Sequence, residues 1–234
     1  MDFVKSGINL TKPNDVINEG VHLDEEQAKV LQPSFVSLIV GPPGSGKSFL
    51  IEQLITNSTL YLKKFNKLLF ITPSPLQGLS AIMNESNWNT SLSSSWIRDR
   101  VMEYEKSVTT KNPSNILIIL DDVIGEISKQ KHEPEVLAMF FNRRHWLRNG
   151  WISILITTQK YVLLPPSLRS VLTSVYVFKP NYLDWDRIKR ETNVTSNKRI
   201  DTLAQIAYKE KHNFIYFRLD TNQVFLNFDQ VVFQ

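Results

Sequence analysis

Short, almost wholly apolar runs recur along the chain, several of them closed by glycine, proline or aspartate. Phe35-Val36-Ser37-Leu38-Ile39-Val40 lies between Pro33 and Gly41, and Leu68-Leu69-Phe70-Ile71 stops before Pro73. Ile116-Leu117-Ile118-Ile119-Leu120 ends on Asp121, and Ile152 to Ile156 and Ser174 to Phe178 follow. Runs this short that do not alternate with polar residues suit strands covered on both faces, as in a parallel sheet. Between them the spacing turns helical: Lys47 to about Thr56, roughly 95–107, Glu133 to Asn149 with Gly150 placed to end it, and 184–210. The tail reads as two strands, Phe214-Ile215-Tyr216-Phe217 and Val224 to Phe228, around a turn at Asp220 to Asn222.

Strands alternating with helices predict an α/β fold: a mostly parallel central sheet flanked by helices, with a C-terminal strand pair. Residues 34–234 form one domain. Residues 1–33, polar and broken by Pro13, Gly20 and Pro33, read as an N-terminal arm, in which Asp24 caps a short helix ending near Leu31.

The stretch between the first strand and the first helix carries the clearest chemistry. Gly41-Pro42-Pro43-Gly44-Ser45-Gly46-Lys47-Ser48 fits G-x-x-x-x-G-K-[ST] at every fixed position, in the strand-then-helix setting the motif requires. Glycines let backbone N–H groups converge on a phosphate, and the start of the next helix, Lys47 to Phe49, adds positive potential. Lys47 is placed to bridge the β- and γ-phosphates of ATP, and the Ser48 hydroxyl to ligate Mg²⁺. This marks the domain as a P-loop NTPase, and a RecA-like, additional-strand (ASCE) arrangement is expected.

Such a site needs a carboxylate at the end of a neighbouring strand. Asp121 and Asp122 supply it: Asp121 as a metal residue through a bound water, Asp122 as general base or positioner of the attacking water. Gln159, after Ile154-Leu155-Ile156-Thr157-Thr158, can donate to a phosphate oxygen and accept from water at once. Arginines able to neutralise developing charge are Arg144, which shares a helix face with Arg148, and Arg169 after Leu164-Pro165-Pro166. The same arginines also suit surface ion pairs or DNA phosphates.

Charge adds little. The net charge is +4, and since residues 1–117 balance, the excess falls in the second half. Trp185, Arg187, Lys189, Arg190, Lys198 and Arg199 read either as a DNA-facing surface or, with Asp184, Asp186 and Glu191 interleaved, as a solvated helix face. Cysteine is absent, which excludes disulfides and thiolate metal sites, and the histidines at 22, 132, 145 and 212 are scattered. No apolar run is long enough to span a membrane, and the first residues lack the pattern of a signal peptide, so action inside a cell or a particle is expected.

With these elements in order, the chain resembles the viral genome-packaging ATPases of the FtsK–HerA superfamily, especially the compact kind of poxviruses, other large DNA viruses and virophages. The resemblance rests on Ile39 through Ser48, Ile116 through Asp122, Arg144-His145, Ile154 through Gln159, Leu164-Pro165-Pro166-Ser167-Leu168-Arg169 and the Phe/Tyr-rich ending. It implies an ATP-driven motor, working as a hexameric or pentameric ring, that feeds double-stranded DNA into a preformed capsid and docks on a capsid or portal-vertex protein. Localisation would then be the virion or the host-cell cytoplasm. Lys47, Ser48, Asp121 and Gln159 would act in cis, with Arg144 or Arg169 supplied in trans. Asp122 departs from the glutamate often found at its position. A nucleoside or small-molecule kinase, another DNA translocase or helicase, and a nucleotide switch without turnover are the alternatives. No second-substrate motif favours the kinase, and the acidic pair with Gln159 argues against the switch.

Overall fold

Ten strands form a single sheet in the computed structural model, in the order β1-β10-β9-β8-β7-β2-β6-β5-β3-β4. The structure describes residues 2–4, 31–32, 34–107, 114–127, 133–143, 145–147 and 150–233. The strands are β1 (Asp2–Val4), β2 (Val36–Val40), β3 (Lys67–Ile71), β4 (Trp88–Asn89), β5 (Ser114–Leu120), β6 (Gly150–Thr158), β7 (Ser174–Phe178), β8 (Phe214–Arg218), β9 (Gln223–Leu226) and β10 (Asp229–Val232). From β7 through β2, β6, β5 and β3 to β4 every pairing is parallel. From β7 through β8, β9 and β10 to β1 every pairing is antiparallel.

The apolar runs are continuous because both sheet faces are covered. On β2, Leu38 faces one core with Ile118, Ile154 and Val175, while Ile39 faces the other with Leu117, Leu155 and Tyr176. Helix α1 (Lys47–Thr56) covers the second face through Leu50, Ile51, Leu54 and Ile55. The first face is covered by α2 (Ser94–Ser107), α3 (Ile124–Ile127), α4 (Glu133–Asn142), α5 (Pro166–Arg169), α6 (Tyr182–Thr192) and α7 (Asn197–Ala207). Tyr176 stacks on Tyr216 at 4.3 Å between ring centres, and Tyr216 on Phe225 at 5.0 Å. These pairs, worth about 1 kcal/mol each beyond burial, lock the antiparallel extension to the parallel core. Among the described residues no helix is long and apolar enough to cross a membrane.

Several expectations need correction. The strand carrying Asp121 is not beside the phosphate-loop strand: β6 lies between β2 and β5. The helix expected over 133–149 ends at Asn142, because Arg143 turns inward to donate to the Ser34 hydroxyl and the Ile152 carbonyl. Gly150 instead opens β6. The stretch 184–210 is two helices: Asn193, in the left-handed region (φ 43°), ends α6, and α7 starts after Ser196. The C-terminal pair is three strands, since Asn227 (φ 55°) turns the chain from β9 into β10. The arm contributes β1 to the sheet edge, Leu31 is buried, and the Tyr61 hydroxyl donates to the Gln32 carbonyl at 2.9 Å. The helix expected from Asp24 to near Leu31 lies, up to residue 30, outside the described residues.

Candidate nucleotide site

The ends of β2, β5 and β6 meet at one edge of the parallel sheet, where ligand crevices of open α/β folds form. The loop from Gly41 to Gly46 leaves β2 and enters α1. Its geometry depends on small residues at two points. A Cβ on Gly41 would sit 2.7 Å from the Phe178 Cβ and 2.7 Å from the Ser45 hydroxyl. Gly46 takes φ +110°, which other residues rarely adopt. The N–H groups of Lys47, Ser48 and Phe49, in the first turn of α1, have no carbonyl four residues back within the helix. Gly44, Ser48 and Phe49 are exposed and Lys47 is half-buried. The Lys47 ammonium donates to the carbonyls of Gly41 (2.8 Å) and Pro42 (3.1 Å), folding back over the loop.

Asp121 follows β5, and both neighbouring strands supply it with a threonine. Thr157, in β6, donates from Oγ1 to Asp121 Oδ1, and Thr72, just after β3, reaches Oδ2 at 3.4 Å. The Asp121 amide donates to the Ile71 carbonyl at 2.9 Å, fixing the backbone. Burial is the largest influence on Asp121 and raises its pKa above the ordinary carboxylate value; the charge of Asp122 adds to the rise, while Thr157, Lys47 and Thr72 oppose it. Burial likewise lowers the Lys47 pKa, against the opposing charges of Asp121 and Asp122. The ammonium and the two carboxylates therefore feel one another across the crevice.

Asp122 points elsewhere. It takes a left-handed backbone (φ 56°), its amide donates to Thr157 Oγ1 at 3.0 Å, and its Oδ2 accepts from Gln159 Nε2 at 3.3 Å. The two carboxylates thus have separate partners, and Asp122 joins Gln159 as an exposed pair.

Arg169 does not reach this cluster. It is mostly buried, with Nη1 donating to the Leu164 carbonyl at 2.9 Å. Its Nε lies 2.9 Å from Glu191 Oε2, a charge contact without a directed hydrogen bond, and its guanidinium covers the Tyr161 ring at 5.4 Å. The Tyr161 hydroxyl also donates to Glu191, and the Val162 amide to buried Asp184 at 3.1 Å. The segment after Gln159 is therefore pinned to α6. Replacing Arg169 with alanine is expected to cost roughly 2 kcal/mol, below the full cost of breaking a buried pair because Glu191 is part-exposed. Thermal melting checks this, with Arg169→Lys recovering only part of the loss. Arg144 and Arg148 lie outside the described residues.

Three of the five basic side chains in the stretch after residue 184 have acidic partners within the chain. Lys189 pairs with Asp201 (2.8 Å), Arg190 with Asp186 (2.7 Å) and Arg187 with Glu191 (3.5 Å), and Trp185 donates to Asp201. This favours the helix-face reading of that stretch over a DNA-facing one.

Thr72 and Thr157 were missed as site residues. Thr157 sits in the Thr-Thr-Gln segment, where Gln159 is the residue with an evident chemical role, and in sequence Thr72 is only the residue after a strand. His212, whose Nδ1 lies 2.9 Å from the Ser45 carbonyl, gave no sequence signal because β8 brings it there from far along the chain.

The loop from β2 into α1, with Lys47 over it, faces Asp121 two strands away and Gln159 just past the strand between them, and this fold and site define a P-loop ATPase. The profile of the family described as Poxvirus A32 protein matches residues 24–232, and the chain belongs to that family. No curated protein sequence matches it significantly. Among solved structures it is similar to the genome packaging NTPase B204 from Sulfolobus turreted icosahedral virus 2. In complex with ATP-gammaS that protein has 13% identity, covers 84% of this chain and 98% of its own, and gives a TM-score of 0.59. In complex with AMPPCP the values are 14%, 84%, 98% and 0.61. B204 described as the DNA-packaging ATPase from Sulfolobus turreted icosahedral virus gives 15%, 84%, 98% and 0.58. At these identities the likeness is one of fold.

Proposed function

We propose that the chain hydrolyses ATP at the interfaces of a ring of its own copies and uses the cycle to drive double-stranded DNA into a viral capsid. The observation that carries this is the placing of Asp121, Asp122 and Gln159 across the strand ends from Lys47. Family membership and the fold shared with B204 support the packaging role.

The donor set fits Mg²⁺. Among the described residues no group of three or more His, Asp or Glu side chains is placed to hold a metal. Mg²⁺ takes one or two carboxylates and leaves its other positions to phosphate and water, which suits the Ser48 hydroxyl and Asp121. When bound with ATP, the ion neutralises charge on the β- and γ-phosphates. Lys47 then moves from its own loop carbonyls to the phosphates. Gln159, its amide N–H₂ on Asp122, keeps its carbonyl oxygen for a hydrogen of the attacking water, and Asp122 accepts the proton.

An arginine from the adjacent copy completes the site. The engagement of Arg169 with Glu191 in its own chain supports Arg144 over Arg169 for this role. Docking on a capsid or portal-vertex protein, in the virion or the infected cell, belongs to the same reading. Steady-state ATP turnover is expected to rise several-fold with long double-stranded DNA, with light scattering reporting a ring mass. A monomer with DNA-independent turnover defeats the motor reading. Mixing Arg144→Ala with Lys47→Ala subunits should restore part of the hydrolysis each lacks alone, and absence of recovery removes Arg144 from the role.

A further inference from the structure

Thr157 is fully buried in β6, and its hydroxyl meets both acids of the crevice. It stands opposite Ile39 on the sheet face that α1 covers, two residues before Gln159. The directions of its bonds are fixed. The Asp122 amide can only donate, so Thr157 Oγ1 accepts there, at 3.0 Å. An ionised Asp121 can only accept, so the one hydroxyl hydrogen goes to Asp121 Oδ1. A single side-chain oxygen thus ties the backbone of one acid to the carboxylate of the other.

The first of these bonds bears on the shape of the turn. Asp122 takes φ 56°, a left-handed backbone that aspartate and asparagine adopt through their short polar side chains and that glutamate adopts far less readily. The bend brings the Asp122 carboxylate to Gln159, whose Nε2 lies 3.3 Å from Oδ2, while Asp121 turns to Thr157 and Thr72. An amide beside a buried strand end needs an acceptor, and in the bent form Thr157 Oγ1 is the one that the Asp122 amide has.

We infer that Thr157 is a positioning residue for hydrolysis: its hydroxyl holds the left-handed turn at Asp122 while it orients Asp121, and that turn is what suits the position to an aspartate in place of the longer glutamate. The inference rests on the roles proposed above for Asp121 and Asp122.

Four variants of the full chain test it, each followed by ATP turnover, by thermal melting and by binding of AMPPCP with and without Mg²⁺. Thr157→Val keeps the branched shape that packs in β6 and removes the hydroxyl. It should lower kcat by about 10- to 100-fold, the usual cost of losing a residue that orients a metal-site carboxylate. KM and the Mg²⁺-free affinity for AMPPCP should stay within about threefold of wild type, because the phosphate loop and Lys47 are untouched. The gain in AMPPCP affinity that Mg²⁺ brings should fall by about threefold or more, since Asp121 loses its orienting donor. Thr157→Ser, which keeps the hydroxyl, should bring kcat back to within about threefold of wild type. Asp122→Glu should lose about tenfold in kcat with AMPPCP binding unchanged, because glutamate disfavours the turn.

Turnover by Thr157→Val within about threefold of wild type overturns the inference. So does a loss that Thr157→Ser does not recover, or one in which Mg²⁺-free AMPPCP binding and melting fall in step with kcat, the mark of a packing role. Asp122→Glu as active as wild type overturns it also. Asp122→Asn separates the two readings. If that variant turns over ATP like wild type, the proposed role of Asp122 falls and takes this inference with it. If it is inactive while Thr157→Val is not, the inference about Thr157 falls alone.

Discussion

Lys47→Ala is expected to lower ATP turnover by about 10³-fold or more, corresponding to a barrier raised by about 4 kcal/mol. The size follows from where the ammonium sits. It is half-buried, the crevice opposite already holds two carboxylates, and burial has lowered its pKa. A cation in such a place acts on phosphate charge with little screening from water, and alanine leaves that charge facing Asp121 and Asp122. The fold should survive. The bonds given up go to the carbonyls of Gly41 and Pro42 in a partly exposed loop, which water can satisfy, so the stability cost should stay within about 1 kcal/mol. Turnover assays alongside thermal melting separate the two effects. A variant that melts normally and still hydrolyses ATP within tenfold of wild type removes the catalytic role of the lysine.

Much of this site could be read from the chain because its parts are local. The phosphate loop is one continuous segment whose strand and helix both show in the hydrophobic pattern, and α1 runs over Lys47–Thr56 as the spacing predicts. Asp121, Asp122 and Gln159 follow apolar runs whose ends were unmistakable. What depends on strand order was not legible. The side-chain pairings across that order could not be seen: β6 between β2 and β5 sets Thr157 against Asp121 and Gln159 against Asp122, residues far apart in the chain. Nor could β1 be seen, since three residues carry no periodicity and only pairing with β10 makes them a strand. Arg169 shows the same limit from the other side: its surroundings in sequence suit a finger, and only the fold brings Glu191 to it. Local caps were readable in principle. Asn193 to Ser196 holds a helix end and a helix start, signals that a single helical reading across 184–210 passes over.

Asp121→Asn should abolish most hydrolysis, by about 10³-fold, and yet raise the melting temperature of the chain without nucleotide or Mg²⁺. The two effects share one cause. The folded-state pKa of Asp121 lies above its ordinary value because burial penalises the carboxylate more than Thr157, Thr72 and Lys47 relieve it. A raised carboxyl pKa means the folded state holds the proton more tightly than the unfolded chain. The resulting stability is fully present below the ordinary carboxylate pKa and is lost as pH rises through the raised folded value. Wherever Asp121 is ionised, the protein therefore carries a buried carboxylate at a cost. Asparagine removes the charge and keeps the shape: its Oδ1 still accepts from Thr157, and its N–H₂ can donate to the Thr72 hydroxyl, which is itself directed at the Ser74 carbonyl. Each kcal/mol regained should raise the midpoint by about 2–4 °C in a chain of this size. The gain should shrink as the pH is lowered through the raised pKa, since the wild-type carboxyl then becomes neutral as well. Because Lys47 lowers the Asp121 pKa, adding Asp121→Asn to Lys47→Ala should stabilise more than adding it to wild type. Melting curves of the four proteins between about pH 4 and 8 decide the matter. If Asp121→Asn melts below wild type throughout that range, the carboxylate is a net structural support and the crevice is not held ionised at the expense of the fold.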